Sequence, residues 1–356
     1  MATWRIAGIS FDHMHMGDLL RMVAAHPHAE ICGIFDPDAA RMVAAVDALD
    51  IPHDRVFTDF EACMATNPDI VILCAATADH ADFVERIAAR AHVFVEKPFA
   101  ASVVDARRMI AAMDGTNKQM VINWPLAWVE SHVTAKRLID EGTIGELIEV
   151  HFYDGNRGPL YHLADKIEVS PQDVEQQKPD SWWYKKAAGG GSLLDYLGYG
   201  ATLGTWYMDG EAPLEVTCVI DEAPGIEVDQ HSITVCRYAR GLSKMETRWG
   251  TFTDPWAIQP QPTCGFVFVG YDGTIASPDY ADHVTVQTRA APEPVQVSVD
   301  PQPDGRRNGI EYFLASLDSG ATISGPLAPD LCLTAQRIVD TAAASALEKR
   351  TLALVP

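Results

Sequence analysis

Long hydrophobic runs are missing from the sequence, and its cysteines are few and scattered. No apolar stretch approaches the ~20 residues that a helix needs to cross a bilayer, which excludes a membrane-spanning protein. The chain starts with a strand-like segment, so no signal peptide is expected. The seven cysteines form neither a CxxC pair nor another zinc-type spacing, and we interpret them as buried, reduced thiols of a cytoplasmic protein.

Positive charge is also scarce. The 27 lysines and arginines are outnumbered by 49 aspartates and glutamates, which gives a formal net charge of −22. Nucleic acids and anionic membranes repel such an acidic surface, so we exclude both as partners. The 356 residues, 47% of them apolar, suit a globular protein of two domains, without repeats or low-complexity segments.

Short apolar runs alternate with helical patterns in the first third of the chain. The runs predict strands at 4–9, 30–35, 56–57, 70–75, 92–95 and 120–122. Strands that alternate with helices indicate right-handed crossovers and a parallel sheet, which makes this part α/β. We therefore assign residues 1–122 to a doubly wound Rossmann domain that binds a nucleotide at the carboxyl ends of its strands.

A different pattern begins at residue 123. Alternating runs with a hairpin signal at Asp272-Gly273 predict an α+β domain, 123–356, with an open, mostly antiparallel sheet. Two helices, 308–316 and 329–348, end the chain and can pack back on the Rossmann domain. Residues 154–188 are expected to form a long polar loop, and a loop of that length is more often functional than idle.

The turn after the first strand departs from the G-x-G-x-x-G pattern of dinucleotide sites. Gly8, Ser10 and His13 occupy the glycine positions, with Phe11 in the same turn. Ser10 can donate its hydroxyl to the pyrophosphate at a helix N-terminus, whereas His13 should widen the contact between helix and strand. His13 and His15 are two apart and would not share a helix face, so we expect structural or cofactor-contacting histidines and no metal site.

Asp36 ends the second strand. A carboxylate there accepts hydrogen bonds from the adenosine ribose and repels a 2′-phosphate, so NAD is expected and NADP is disfavoured. The alternative is that Asp36 is a helix N-cap, because Pro37 follows it.

The fifth strand ends in Glu96-Lys97-Pro98. Proline ends the strand and leaves an ammonium at the carboxyl edge of the sheet. The alternative is a surface ion pair of Glu96 with Lys97 or with other neighbours. The tripeptide resembles the sugar and cyclitol dehydrogenases grouped with glucose-fructose oxidoreductase and inositol dehydrogenase, the Gfo/Idh/MocA family. In that family this lysine contacts the reacting hydroxyl and helps to move its proton.

The resemblance covers essentially the whole chain and implies further cofactor contacts. The loop after the fourth strand, with Ala75, Thr77 and His80, would run under the nicotinamide. Asn123 matches the family's asparagine after the last strand, but the nearby arginine is missing and Trp124 stands beside it.

Residues 189–199, GGGSLLDYLGY, are similar to the family's G-G-G-x-x-x-D-x-G-x-H, with the inner glycine displaced by one. Asp195 matches the aspartate and Tyr199 matches the histidine, which is a tyrosine in some members. We expect Lys97 to polarise the reacting oxygen, Tyr199 to transfer the proton, and Asp195 to bind substrate hydroxyls or position the other two. The alternatives are a helix capped by Ser192 and Asp195, and a core role for Tyr199.

Aromatic and polar side chains are candidates for substrate binding. Trp124, His162, Trp183 and Tyr184 could stack on a sugar ring or bond its hydroxyls, together with Lys97, Asp195 and Tyr199. The alternative for each aromatic is an oligomer contact or a buried anchor.

These features predict an NAD-dependent oxidoreductase that transfers a hydride between nicotinamide and a secondary hydroxyl or ketone of a sugar, cyclitol or related polyol. Two alternatives stay open: an NAD-dependent glycosidase that oxidises its substrate transiently, and a non-catalytic relative that senses the cofactor. The resemblance also implies a homodimer or homotetramer, because the open face of the second sheet often mediates association in the family.

Overall fold

The computed structural model describes residues 3–162 and 167–356, and its internal contacts divide the chain into two compact units. The first unit comprises Met1–Asn123, Leu160–Gly189 and Asn308–Pro329. The second comprises Trp124–Pro159, Gly190–Arg307 and Asp330–Pro356. The division into domains 1–122 and 123–356 stays a prediction; by contacts, two later segments group with the first unit.

The described part of the chain contains fifteen strands and ten α-helices. The strands are β1 Trp4–Ile9, β2 Ala29–Phe35, β3 Val56–Phe57, β4 Ile70–Leu73, β5 His92–Glu96, β6 Met120–Asn123, β7 Leu147–Asn156, β8 Glu215–Ile220, β9 His231–Tyr238, β10 Gly241–Trp249, β11 Gly265–Gly270, β12 Gly273–Pro278, β13 His283–Thr288, β14 Val295–Ser298 and β15 Leu352–Ala353. The helices are α1 His15–Ala25, α2 Val43–Leu49, α3 Phe60–Met64, α4 His80–Ile87, α5 Val103–Met113, α6 Glu130–Asp140, α7 Pro171–Gln177, α8 Ser192–Tyr207, α9 Gly309–Ser319 and α10 Pro329–Glu348.

The first unit is built on a six-stranded parallel sheet in the order β3-β2-β1-β4-β5-β6. Its central strands are apolar on both faces because helices cover both sides; every residue of β4 is buried. The strand order reverses between β1 and β4, which opens a crevice at the carboxyl ends of these strands. The predicted doubly wound parallel sheet is confirmed. Helix α9 also belongs to this unit, and its Phe313 packs against Phe94 of β5.

The second unit contains a nine-stranded sheet in the order β14-β13-β12-β11-β7-β10-β9-β8-β15. Among the described strands of this sheet, only β7 and β10 pair in parallel, so the prediction of a mostly antiparallel sheet is confirmed. The predicted hairpin is also present, with a short turn at Tyr271 and Asp272 between β11 and β12. Helix α8 packs on the inner face of β7 and β10.

The prediction of one long polar loop over 154–188 is wrong in two places. Strand β7 continues to Asn156, and helix α7 begins after Ser170, whose hydroxyl accepts the N–H of Asp173 at 3.2 Å, with Pro171 at the first helical position. The sequence did not indicate α7, because Val174 is its only buried residue and the helix therefore has no apolar face.

All seven cysteines are buried and none forms a disulfide, as predicted. Within residues 3–162 and 167–356, no helix has both the length and the apolar character needed to span a bilayer.

The start of α8 differs from the predicted cap. The Ser192 hydroxyl lies 2.9 Å from Thr247 Oγ1 and caps nothing, whereas Asp229 Oδ2 accepts the N–H of Leu193 at 2.7 Å. Gly191 is at φ 111°, and a Cβ there would lie 2.7 Å from Asp229 Oδ1, so the glycine lets this carboxylate reach the helix. Desolvation raises the pKa of Asp229 to about 6.

Two glycines one turn apart in α8 should respond differently to alanine. A Cβ on Gly200 would lie 2.5 Å from Phe152 Cδ1, whereas a Cβ on Gly204 would meet the flexible end of Met245 at 3.3 Å. We expect Gly200→Ala to lower the free energy of unfolding by about 1–3 kcal/mol through overpacking. Gly204→Ala should be neutral or should gain up to ~1 kcal/mol of helix propensity. Urea denaturation measures both variants, and equal stabilities would contradict this packing.

The Asp229 carboxyl should make stability depend on pH. Its unfolded pKa is about 4, so between about pH 4 and pH 6 the unfolded chain has lost a proton that the folded chain keeps. Stability should therefore fall as the pH rises through this window. Asp229→Asn keeps an acceptor for Leu193 but cannot titrate, and we expect a decline smaller by roughly 1–3 kcal/mol.

Urea denaturation from pH 4 to pH 7 measures this decline for Asp229→Asn, with Glu222→Gln, an exposed acid, as the control. Identical pH profiles for wild type and Asp229→Asn would show that Asp229 titrates normally in the folded protein.

Candidate active site

The turn after β1 keeps the backbone form of a dinucleotide-binding loop. Ser10 has φ 64°, in the left-handed region where glycine is usual, so it takes the conformation of the second glycine. A Cβ on Gly8 would lie 2.9 Å from Met16 Sδ of α1, so helix and strand are in tight contact. The predicted widening by His13 is wrong, because His13 precedes the helix and its ring packs 4.9 Å from that of Trp183.

Asp12, which the sequence analysis missed, lies within this turn. Its Oδ2 accepts the Ser10 hydroxyl at 2.8 Å and the N–H of Ala76 at 3.2 Å. The Arg41 guanidinium pairs with Oδ1. The Ser10 hydroxyl is therefore held by a neighbouring carboxylate. The arginine that offsets its charge lies 29 residues away, and no local pattern reveals the pair.

Asp36 is completely buried at the end of β2. Its Oδ2 accepts the N–H of Phe11 at 2.7 Å, its Oδ1 accepts the N–H of Asp38 at 2.9 Å, and burial raises its pKa. The N-cap alternative is wrong, because the following helical turn begins at Ala39 and is capped by Asp38. Each oxygen of Asp36 retains a second lone pair, so a role at the ribose stays a prediction.

The loop after β4 buries Ala75, Thr77 and His80. The Nε2 of His80 lies 3.0 Å from the Ala75 carbonyl, and its Nδ1 lies 3.1 Å from the Phe99 carbonyl. Desolvation lowers the pKa of this imidazole. His80 thus joins the loop after β4 to the loop after β5, which suits a residue that positions the cofactor loop.

Glu96, the last residue of β5, uses both carboxylate oxygens. The Nδ1 of His15 lies 2.8 Å from Oε1, and the side-chain amide of Asn123 donates to Oε2 at 2.7 Å. Glu96 is 0% exposed and Lys97 is 5% exposed. The alternative of a surface ion pair, with Lys97 or with other neighbours, is therefore wrong, because Glu96 is buried.

The first unit brings Lys97 together with Trp183. The Nζ of Lys97 lies 5.5 Å from the centroid of the Trp183 ring, a distance at which an ammonium is attracted to an indole face. Trp182 stacks on Trp183 at 3.9 Å and donates its Nε1–H to the Asp12 carbonyl at 3.0 Å. Two consecutive tryptophans thus connect the phosphate loop to the end of β5, and Trp182 was not among the predicted site residues.

Two other candidates of the loop segment have different neighbours. Tyr184 is buried, with Lys178 Nζ 5.6 Å from its ring centroid, and His162 is buried in a β-bridge with Glu168. Their role in substrate binding stays a prediction.

In the second unit, α8 carries Asp195 and Tyr199, and Tyr199 lies beside Trp124. Asp195 Oδ2 accepts the Trp249 Nε1–H at 2.9 Å. The capping-box alternative is wrong, because the N-cap of α8 is Gly191 and the Ser192 hydroxyl caps nothing. The ring of Tyr199 lies 5.3 Å from that of Trp124, edge to face. A Cβ on Gly198 would lie 2.5 Å from Trp124, so the displaced glycine makes room for this indole.

Two groups of metal-ligating side chains have donor atoms within 4.8 Å of one another in the part of the chain that the structure describes: His13, His15 and Glu96, and Asp154, Cys264 and Asp279. The helix-face argument against His13 and His15 does not apply, because α1 begins at His15 and the two rings are 4.3 Å apart. His13 Nδ1 accepts the N–H of His15 at 3.1 Å, and Glu96 is bonded at both oxygens. The absence of a metal from this group stays a prediction.

Several known proteins are similar to this chain. The inositol 2-dehydrogenase of Salmonella typhimurium is 30% identical over 167 residues, 46% of this chain and 48% of that enzyme, so the chain spans about half the length of this relative. The inositol 2-dehydrogenase of Rhizobium meliloti is 24% identical over 94% of both chains. A solved levoglucosan dehydrogenase, in complex with NADH and levoglucosan, has a TM-score of 0.78 at 16% identity, covering 99% of this chain and 100% of that one; this likeness shows the fold.

Two family models match separate parts of the chain. The model described as "Oxidoreductase family, NAD-binding Rossmann fold" matches residues 6–124, and the "GFO/IDH/MocA C-terminal domain" model matches residues 132–276. The predicted family, fold class and NAD-binding character are thereby confirmed. The chain belongs to the Gfo/Idh/MocA family of oxidoreductases.

Proposed function

We propose that this protein is an NAD-dependent dehydrogenase that acts on a secondary hydroxyl of a sugar, cyclitol or related polyol, or reduces the corresponding ketone. The observation that carries the proposal is the buried Lys97 ammonium at the carboxyl end of β5, 5.5 Å from the Trp183 ring. An indole can stack on the C–H face of a sugar while the ammonium polarises a hydroxyl oxygen. Relatives named inositol 2-dehydrogenase support this substrate class.

The residues of the first unit fit the cofactor. Gly8, which has no side chain, and Ser10, whose backbone is in the left-handed region, form the turn that a pyrophosphate needs. The Asp36 carboxylate favours NAD over NADP. When bound, NAD supplies the hydride acceptor. We assign the remaining cofactor contacts to Phe11, His13, Ala75, Thr77, His80, Glu96, Lys97 and Asn123.

Three side chains carry the proposed chemistry. Lys97 orients and polarises the reacting oxygen, and Tyr199 accepts or returns its proton. Asp195, held by the Trp249 indole, binds substrate hydroxyls or positions the proton-transfer groups. Trp124, His162, Trp183 and Tyr184 are the proposed further substrate contacts.

We also propose a reducing compartment, the cytoplasm, because seven buried thiols without a disulfide suit it. A homodimer or homotetramer is supported by the outer face of the second sheet. The strand register puts four exposed apolar side chains on this face, opposite to α8: Val219, Ile233, Leu242 and Val267. Such a patch is typical of an association surface.

The dehydrogenase proposal predicts NADH formation with at least one polyol. The assay follows nicotinamide absorbance with NAD or NADP across a panel of aldoses, inositols, sugar acids and glycosides. Lys97→Met should lower kcat/KM by about 10²–10⁴-fold, since it removes a group that acts on the proton in the transition state. The exposed Lys349→Met is the control and should keep wild-type turnover.

Binding of NAD to Lys97→Met, measured by calorimetry, separates lost chemistry from lost cofactor. Full turnover in this variant would reject the assigned role of Lys97. A protein that binds NAD and cleaves a glycoside without accumulating NADH would be a glycosidase. Failure to bind NAD would favour a non-catalytic relative.

The association proposal predicts a dimer or tetramer in light scattering behind gel filtration. Ile233→Glu should reduce the particle mass, because it buries a charge in the proposed interface. Ile258→Glu, on an exposed position outside the strands, is the matched control and should leave the mass unchanged. A monomeric wild type would refute the proposal.

A further inference from the structure

Three metal-ligating side chains lie side by side at the ends of three neighbouring strands of the second sheet, β7, β11 and β12. Asp279, just after β12, donates its backbone N–H to the carbonyl of Cys264, just before β11, at 3.0 Å. The register of β11 with β7 sets Asp154 opposite Cys264 on the other side. Directly opposed residues have Cβ atoms about 4.5–5.5 Å apart on one face of a sheet. The row Asp154–Cys264–Asp279 is therefore fixed by backbone pairing.

The side chains of this row converge in the interior. Their donor atoms lie within 4.8 Å of one another, and the residues are 3%, 0% and 2% exposed in the order Asp154, Cys264, Asp279. Burial raises the pKa of all three groups. Among the described residues, the titratable groups that interact with the row carry no positive charge. They are Tyr153, Asp195, Tyr196, Tyr207 and Tyr280, together with His132, whose pKa burial lowers to about 3.

One oxygen in the row has no hydrogen-bond partner among the described residues. Oδ1 of Asp279 lies 2.7 Å from His132 Nε2, whereas Oδ2 is buried and unbonded. His132 Nδ1 is in turn 2.8 Å from the Ser277 hydroxyl, so the imidazole fixes the carboxylate. An unsatisfied buried acceptor lowers the stability of the folded protein by about 1–3 kcal/mol, and a ligand bound at Oδ2 would remove that cost.

We propose that Asp154, Cys264 and Asp279 bind a divalent, thiol-seeking cation, with Zn²⁺ as the first candidate. Zinc accepts thiolate and carboxylate ligands with bonds of about 2.0–2.3 Å, so donor atoms this close need only a small closure. Binding expels the Cys264 thiol proton and any proton on the two carboxyls. The His132 side chain then acts as the outer partner that orients the Asp279 ligand.

Protons are the competing way to neutralise the row. A proton shared between Asp279 Oδ1 and His132 Nε2 removes the charge but gives Oδ2 no partner. A cation supplies both a positive charge that neutralises the row and a partner for Asp279 Oδ2. Because the row is buried, the ion would stabilise the ends of β7, β11 and β12 and would enter as the chain folds.

Metal analysis of the full-length protein, purified without chelators from zinc-supplemented cells, tests the proposal. We expect about one zinc per chain. The protein is then unfolded by denaturant in the presence of EDTA, freed of EDTA and refolded with Co²⁺. Cobalt bound at Cys264 should produce a thiolate-to-cobalt charge-transfer absorption in the near ultraviolet. Cys264→Ser should lose this absorption. Cys236→Ser should keep it, because this equally buried thiol interacts with Cys218 and with no carboxylate among the described residues.

Asp279→Asn adds a second ligand variant and should lower the zinc content at least tenfold. If both ligand variants fold poorly, the cobalt spectrum of the wild type still decides. Wild-type protein that holds no zinc and shows no thiolate-to-cobalt band would overturn the proposal and assign neutralisation to protons. Zinc retained undiminished in folded Cys264→Ser and Asp279→Asn would overturn it as well, because the ion would then lie elsewhere.

Discussion

The position of Lys97 depends on the buried carboxylate that precedes it. Glu96 has no solvent contact, so its charge is tolerable only because His15 and Asn123 bond both oxygens. These partners come from the start of α1 and the end of β6, on either side of β5. The hydrogen bonds therefore fix the end of β5 relative to its neighbours, and Lys97 is the next residue along the chain.

Features of the fold with a local cause could be predicted from the sequence. Strand and helix periodicity is set by adjacent residues, so β1, β4, β5 and α10 were placed correctly within a few residues. Helix ends were harder to predict. Ser192 has the right residue type for a cap, but the carboxylate of Asp229, 37 positions later, caps α8 instead. A side chain from the loop before β9 satisfies this helix N-terminus, and no short window of sequence contains both.

The candidate site also contains both residues that the sequence could predict and contacts that it could not. Gly8, Asp36 and Lys97 follow directly from strand ends, whereas Trp182 reaches the Asp12 carbonyl across 170 positions. The row Asp154–Cys264–Asp279 is the extreme case. Metal motifs are recognised by short spacing along the chain, but here the antiparallel register supplies the proximity, and separations of 110 and 15 positions carry no signal.

The phosphate loop shows why a motif is better understood as a backbone requirement than as a set of letters. Two of its three glycines are replaced, yet Ser10 adopts the left-handed conformation and Gly8 keeps α1 against β1. His13 is accommodated because it precedes the helix and packs on Trp183. Ser10 adopts a conformation that costs a non-glycine residue about 1–2 kcal/mol, and its hydroxyl bond to Asp12 helps to offset that cost. The substitutions thus change which side chains support the turn while its path is preserved.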